Sequence, residues 1–158
     1  ELCVKSGKQL VIYISMGFGN PYGDDYNENI LLHWADEMVK RDITILSLAD
    51  TVGVATPQQI SFALNTLIPK YPETVVGVHL HSTPQNFEEK LAAAIHAGCT
   101  RFDGALKGIG GCPMAQDDLV GNMNTELMIP SLEEKGLLKN LNKEALLKSL
   151  QIASEIFI

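Results

Sequence analysis

Two imidazoles, a thiol, an amide and a carboxylate fall between residues 75 and 126. V-V-G-V-H-L-H carries His79 and His81, G-I-G-G-C-P-M-A carries Cys112, and G-N-M-N-T-E carries Asn122 and Glu126. Along a strand, residues i and i+2 share a face, so both imidazoles point the same way and a metal can sit between their nitrogens. The same spacing also accommodates one histidine satisfied by a backbone carbonyl and the other at the surface. The pair ends an apolar strand, which is where parallel α/β sheets and barrels place their sites. Cys112 lies in a glycine-flanked loop, a poor place for a packing role, and this favours a working thiol over an idle one.

The elements that must position these groups repeat as strand then helix. Residues 9–15 (Q-L-V-I-Y-I-S) form a nearly continuous apolar run, as in a strand buried on both faces. A long loop, M-G-F-G-N-P-Y-G-D-D-Y-N, follows, and its length and glycines suit function. Residues 28–41 are helical, with Ile30, Trp34 and Met38 as the stripe, Leu31 and Ala35 beside it, and His33 facing solvent. Residues 43–48 form the second strand. Thr56-Pro57 opens a helix running to about Lys70, with Ile60, Leu64 and Leu67 inward.

Residues 74–81 form the third strand. Thr83-Pro84 reads as another helix start, with Phe87, Leu91 and Ile95 buried, His96 partly exposed and Gly98 at the C-terminal cap. Residues 100–106 form the fourth strand. Asn124 caps the next helix, where Pro130 predicts a break. Asn142 caps a last helix, residues 143–157, with Leu146, Leu150, Ala153 and Phe157 on one side. Residues 1–5 read as a helix end stopped by Gly7. Strand starts recur every 25–35 residues or so, close to the roughly 31 per unit of a (β/α)8 barrel. Four such units make half a barrel.

The chain has 158 residues, a formal net charge of -7, 46% hydrophobic and 6% aromatic residues. That charge excludes a nucleic-acid surface, which needs clustered Lys and Arg. No apolar run approaches the roughly 20 residues of a membrane span. The three cysteines, Cys3, Cys99 and Cys112, make no disulfide framework and point to a reducing compartment. Cys99 reads as a small core residue. The G-x-G-x-x-G dinucleotide fingerprint is absent.

These motifs resemble the C-terminal half of the 3-hydroxy-3-methylglutaryl-CoA lyases, within the metal-dependent lyase and acyltransferase superfamily of TIM barrels. Y-I-S-M-G-F-G-N-P-Y-G is similar to the family's fifth strand and loop, L-S-L-A-D-T-V-G-V-A-T-P to its sixth and V-H-L-H to its seventh. G-I-G-G-C-P-M-A with G-N-M-N-T-E is similar to its eighth strand and signature loop.

The resemblance implies an α/β fold, the second half of a TIM barrel (four β/α units) plus C-terminal helices, spanning residues 1–158 as one part of a catalytic domain whose N-terminal half is absent. It implies His79, His81 and Asn122 as ligands of a divalent cation, Mg2+ or Mn2+. Cys112 would be the loop thiol acting in proton transfer, Glu126 a catalytic carboxylate and Asp50 a substrate-side one. Asp103 also matches a family position, with a hydrogen-bonded strand carboxylate as the plain alternative. The implied reaction cleaves 3-hydroxy-3-methylglutaryl-CoA to acetyl-CoA and acetoacetate. A condensing acyltransferase or aldolase of the same superfamily, or a catalytically silent interaction module, are the other readings.

The sequence departs from the family at Ser82-Thr83, where Asp-Thr is usual, and at Pro130. An acyl-CoA partner, pairing with a second copy or with the missing half, and a cytoplasmic location (mitochondrial matrix if a transit peptide is removed) complete the expectations. Half a barrel is further expected to expose lumen-facing Ile12, Leu46 and Val78, or their neighbours in another register.

Overall fold

The computed structural model describes residues 1–111 and 120–157. Four strands, β1 (Ile12–Ile14), β2 (Ile45–Ala49), β3 (Val75–His79) and β5 (Phe102–Asp103), form a parallel sheet. Its spatial order is β1-β2-β3-β5, so the strands neighbour one another in sequence order. Helices α2 (Glu28–Val39), α3 (Pro57–Lys70) and α4 (Phe87–His96) connect them, after a short α1 (Leu2–Lys5). Two short strands, β4 (His81–Ser82) and β6 (Gly121–Asn122), make a separate antiparallel ribbon at the C-terminal ends of the sheet strands. Helices α5 (Thr125–Glu134) and α6 (Lys143–Ile156) follow. This is the expected run of β/α units; the ribbon is an addition the periodicity did not indicate.

Register sets which face holds the site. Ile12 pairs with Leu46 and Leu46 with Val76, while Leu48 pairs with Val78. These residues pack on Leu31, Ala35, Ile60, Leu64, Leu67, Leu91 and Ala94 of the helices in one core. Ile12, Leu46 and Val78 therefore face the helices, and it is their neighbours that face the other way. There Tyr13, Ser47, Gly77, His79 and Asp103 alternate with the core positions, and the inner face of the partial barrel is polar.

Gly77 has a clear purpose in that layer. A Cβ there would lie 2.8 Å from the Arg101 carbonyl oxygen and 2.9 Å from the Arg101 Cβ. The missing side chain lets Arg101 sit beside β3, where its guanidinium reaches Asp103 Oδ2 at 3.1 Å.

Several local expectations change. On α2 the buried residues are Leu31 and Ala35, and Trp34 is 50% exposed. Both stripes are apolar, and small Ala35 allows the close helix packing that an indole would prevent. β1 is an outer strand with Tyr13 exposed, and so is not buried on both faces. Thr83-Pro84 does not start a helix. Asn86 Oδ1 accepts the Thr83 N–H at 2.8 Å, closing a turn, and α4 begins at Phe87. Pro130 sits within a continuous α5; its ring is exposed and it forgoes a single intrahelical bond. Phe157 is exposed rather than on the inner side of α6.

Other signals match. Thr56 and Gln59 form a reciprocal capping box. Asn124 and Asn142 cap α5 and α6. Gly98 ends α4 at φ +84°. Cys99 is buried in the core, and that burial pushes its thiol up to about 11.

Candidate functional site

His79 ends β3 and His81 opens β4, so one residue, Leu80, turns the chain from the sheet into the ribbon. Their rings stand 5.2 Å apart, edge to face. Nδ1 of His81 lies 2.7 Å from the Asp50 carbonyl oxygen. A carbonyl only accepts, so Nδ1 carries a proton, and in the Nδ1–H tautomer Nε2 is the nitrogen that presents a lone pair. One of the two open readings of the pair thus describes one nitrogen of His81, and the other nitrogen is left for a ligand.

His79 differs. Among the described residues nothing hydrogen-bonds its buried Nδ1, and Asp103 Oδ2 is 3.8 Å away. Burial first, then the adjacent His81, lower its pKa below the ordinary 6.5, against the opposite pull of Asp103. The ring is therefore neutral at neutral pH, the state a metal ligand requires.

Asn122 lies directly opposite His81 in the ribbon. Its Nδ2 donates to the Ile109 carbonyl at 2.9 Å. Among the described residues its Oδ1 accepts no hydrogen bond, so this oxygen is the group it can offer a cation. His79, His81 and Asn122 are thus brought to one end of the sheet. No group of three His, Cys, Asp or Glu able to hold a metal occurs among the described residues. The donors these residues could offer a divalent cation are two imidazole nitrogens and an amide oxygen.

Asp50 is only 1% exposed. Its Oδ1 accepts the Ala55 N–H at 2.9 Å and its Oδ2 the Lys90 ammonium at 2.8 Å. Its backbone carbonyl accepts from His81 Nδ1, and this contact ties Asp50 to the histidine pair. Lys90 was not anticipated. It too is 1% exposed, and it also donates to the carbonyls of Gly53 and His81 at 3.0 and 2.8 Å. A signal was present: Lys90 occupies the stripe of Phe87, Leu91 and Ala94, where a lysine is buried only if paired. Ser82, where the family resemblance has a carboxylate, is buried opposite Gly121.

Glu126, in the first turn of α5, accepts the Lys107 N–H on both carboxylate oxygens at 2.9 Å. Lys107 has φ 60°, a left-handed conformation that this contact holds in place. Asn122 N–H donates to the Gly110 carbonyl at 3.1 Å. Glu126 and Asn122 thus brace the base of the glycine-rich loop. Cys112 lies outside the described residues. Asp103 accepts from Ser47 at 3.0 Å and from Arg101, as a hydrogen-bonded strand carboxylate does.

The long loop after β1 closes over the end of β2. Gly17 N–H donates to Ala49 O at 3.0 Å, Met16 N–H to Thr51 Oγ1 at 2.8 Å, and Tyr26 hydroxyl to Gly17 O at 2.7 Å. Burial, aided by Glu28 and Asp50, raises Tyr26 to about 12, so it remains a donor. Beside Asn122, a cavity of about 190 Å³ is lined by Ser82, Thr83, Phe87, Lys107, Asn124 and Leu127 among others.

The parallel strand-helix sheet, with its strands in sequence order, is part of a TIM barrel, and about half of such a barrel is represented. The chain belongs to the HMGL-like family, which matches residues 2–153. It is 32% identical over 143 residues to a hydroxymethylglutaryl-CoA lyase of Bacillus subtilis, covering 90% of this chain and 48% of that protein. It is 30% identical to the (R)-citramalyl-CoA lyase of Chloroflexus aurantiacus, covering 90% of this chain and 45% of that protein. The crystal structure of the Bacillus subtilis HMG-CoA lyase superposes with a TM-score of 0.84 at 31% identity, covering 97% of this chain and 51% of that one. The chain spans about half the length of the curated relatives it matches.

Proposed function

We propose that this chain supplies the histidine-bearing half of the active site of a metal-dependent carbon–carbon lyase that cleaves 3-hydroxy-3-methylglutaryl-CoA to acetyl-CoA and acetoacetate. The observation that carries the reading is the His79–His81 pair, with His81 Nε2 freed by the Nδ1 bond to Asp50. His79, His81 and Asn122 would hold Mg2+ or Mn2+. Such a cation lowers the pKa of a substrate alcohol and gathers the oxygen charge that develops as the bond breaks.

The chain's own residues have three tasks in this reading. The histidine pair and Asn122 orient the cation-binding end. Glu126 and Asn122 hold the root of the glycine-rich loop against the site. As the bond breaks, the alcohol oxygen becomes the ketone of acetoacetate and its proton passes to solvent; Cys112, on that loop, gives its thiol proton to the enolate carbon of departing acetyl-CoA, and the thiolate is then reprotonated from solvent.

The similar identity to a citramalyl-CoA lyase supports the same bond cleavage on a different acyl group. Acetyl-CoA release from each CoA ester with Mg2+, compared side by side, tests both. Release from neither ester, with condensation of acetyl-CoA and a 2-keto acid instead, would replace the lyase reading. The outer edge of β1, unpaired among the described residues, further supports pairing with a second copy or with the other half of a barrel. Light scattering at low micromolar concentration checks this, and a monomer with no added partner bound would count against it.

A further inference from the structure

We propose that Lys90 is the positioning residue of the histidine pair, holding His81 as its Nδ1–H tautomer so that Nε2 stays available to a divalent cation. The cation part of this proposal rests on the reading of His79 and His81 given above; the tautomer part does not. The Asp50 carbonyl accepts from two donors, His81 Nδ1 at 2.7 Å and Gly53 N–H at 3.1 Å. Gly53's own carbonyl accepts from Lys90 at 3.0 Å, and Asp50's carboxylate from Lys90 at 2.8 Å. A third bond, 2.8 Å to the His81 carbonyl, ties the same ammonium to the residue whose ring is being oriented.

Lys90 therefore joins the loop that carries the acceptor to the strand that carries the ring. All three ammonium hydrogens are used, and its charge is balanced by one equally enclosed carboxylate. An ion pair this buried gives little net stability compared with an apolar replacement of its shape. Its bonds do, however, fix direction, and their direction is toward His81. Support of this kind sets the tautomer and orientation of ligating imidazoles, and its loss costs roughly 10–100-fold in metal affinity.

The test separates positioning from plain support of the fold. Lys90→Met leaves the Asp50 carboxylate buried and alone, and it will destabilise the chain whatever Lys90 does. The double variant Asp50→Asn/Lys90→Met removes both charges, keeps an oxygen for the Ala55 N–H, and should recover folding stability. Long-range 1H–15N NMR of the full chain then reads the protonation of each His81 nitrogen, and Mn2+ titration reads affinity.

In the wild type, Nδ1 should carry the proton. In the double variant, His81 should become a mixture of tautomers, and Mn2+ affinity should drop roughly 10–100-fold. A double variant that recovers stability and also keeps the wild-type tautomer would overturn the proposal. Should wild type bind no Mn2+ yet show the tautomer change, the positioning role stands and the cation reading fails instead.

Discussion

Asn122 stands directly across the ribbon from His81, and the backbone on either side of it closes the glycine-rich loop. A Cβ on Gly121 would lie 2.7 Å from the Gly108 carbonyl oxygen, so the two roots of the loop pass backbone against backbone. One two-residue strand pairing thus delivers an amide to the imidazoles and sets where the Cys112-bearing segment leaves and returns.

Removing either imidazole should abolish useful cation binding. His79→Gln and His81→Gln each keep a polar side chain but lose the ring nitrogen. Each should weaken Mn2+ binding by more than the roughly 10–100-fold that loss of a supporting group costs. Isothermal calorimetry on the folded variants checks this. Wild-type affinity in either would remove that residue from the ligand set.

Gly77→Ala probes the polar inner layer. The added methyl meets backbone and Cβ of Arg101 at under 3 Å, and backbone cannot swing aside as a side-chain tip can. Overpacking of this kind costs about 1–3 kcal/mol. Urea denaturation should show a loss of that size, with the Arg101–Asp103 contact beside His79 displaced. An unchanged midpoint would mean that β5 shifts freely.

How far the sequence carried this picture differs by level. The alternation of strands and helices, the Thr56-Pro57 helix start and the histidine pair are legible because each depends on neighbouring residues alone. The face of the sheet that packs on the helices was not, because Ile12–Leu46–Val78 and their neighbours alternate between two surfaces that both bury residues in a barrel. α2 was misjudged for a similar reason, with two adjacent apolar stripes and only the packing of Ala35 to choose between them. Asp50 reads as a site residue from its type, but the contact of its backbone carbonyl with His81 is one that no residue type encodes. Lys90 is legible in principle, as a charge on an apolar stripe, but its partners come from two other segments, the Asp50–Gly53 loop and the His81 strand.

The tie between α2 and α3 should show in acid. Asp36 accepts the Lys70 ammonium at 2.8 Å and also the Tyr71 hydroxyl. The Lys70 bond first, then Tyr71, holds its carboxyl below the ordinary 3.8. A carboxyl lowered in the folded state stabilises the fold above its unfolded value, and that contribution is lost as pH falls through the folded one. The group is partly exposed, so the effect is on the order of 0.5 kcal/mol. Asp36→Asn should therefore destabilise slightly at pH 7 and make little difference near pH 2. Equal differences at both pH values would show that the contact does not depend on charge.

The final prediction concerns the thiol and the loop roots together. If Cys112 protonates the enolate, Cys112→Ala in the catalytically active protein should reduce turnover by roughly 10²–10⁴ while Mn2+ affinity stays near wild type. Gly121→Ala leaves the thiol in place but drives a methyl into the Gly108 carbonyl, so it should also lower turnover by spreading the loop base. The two losses have different signatures. A misplaced thiol still ionises and still reacts with an alkylating reagent that inactivates the enzyme, whereas Cys112→Ala has nothing there to react. If Cys112→Ala turns over at the wild-type rate, the proton comes from elsewhere. The indirect part that Glu126 would play through Lys107 at the base of that loop then has no thiol to act on.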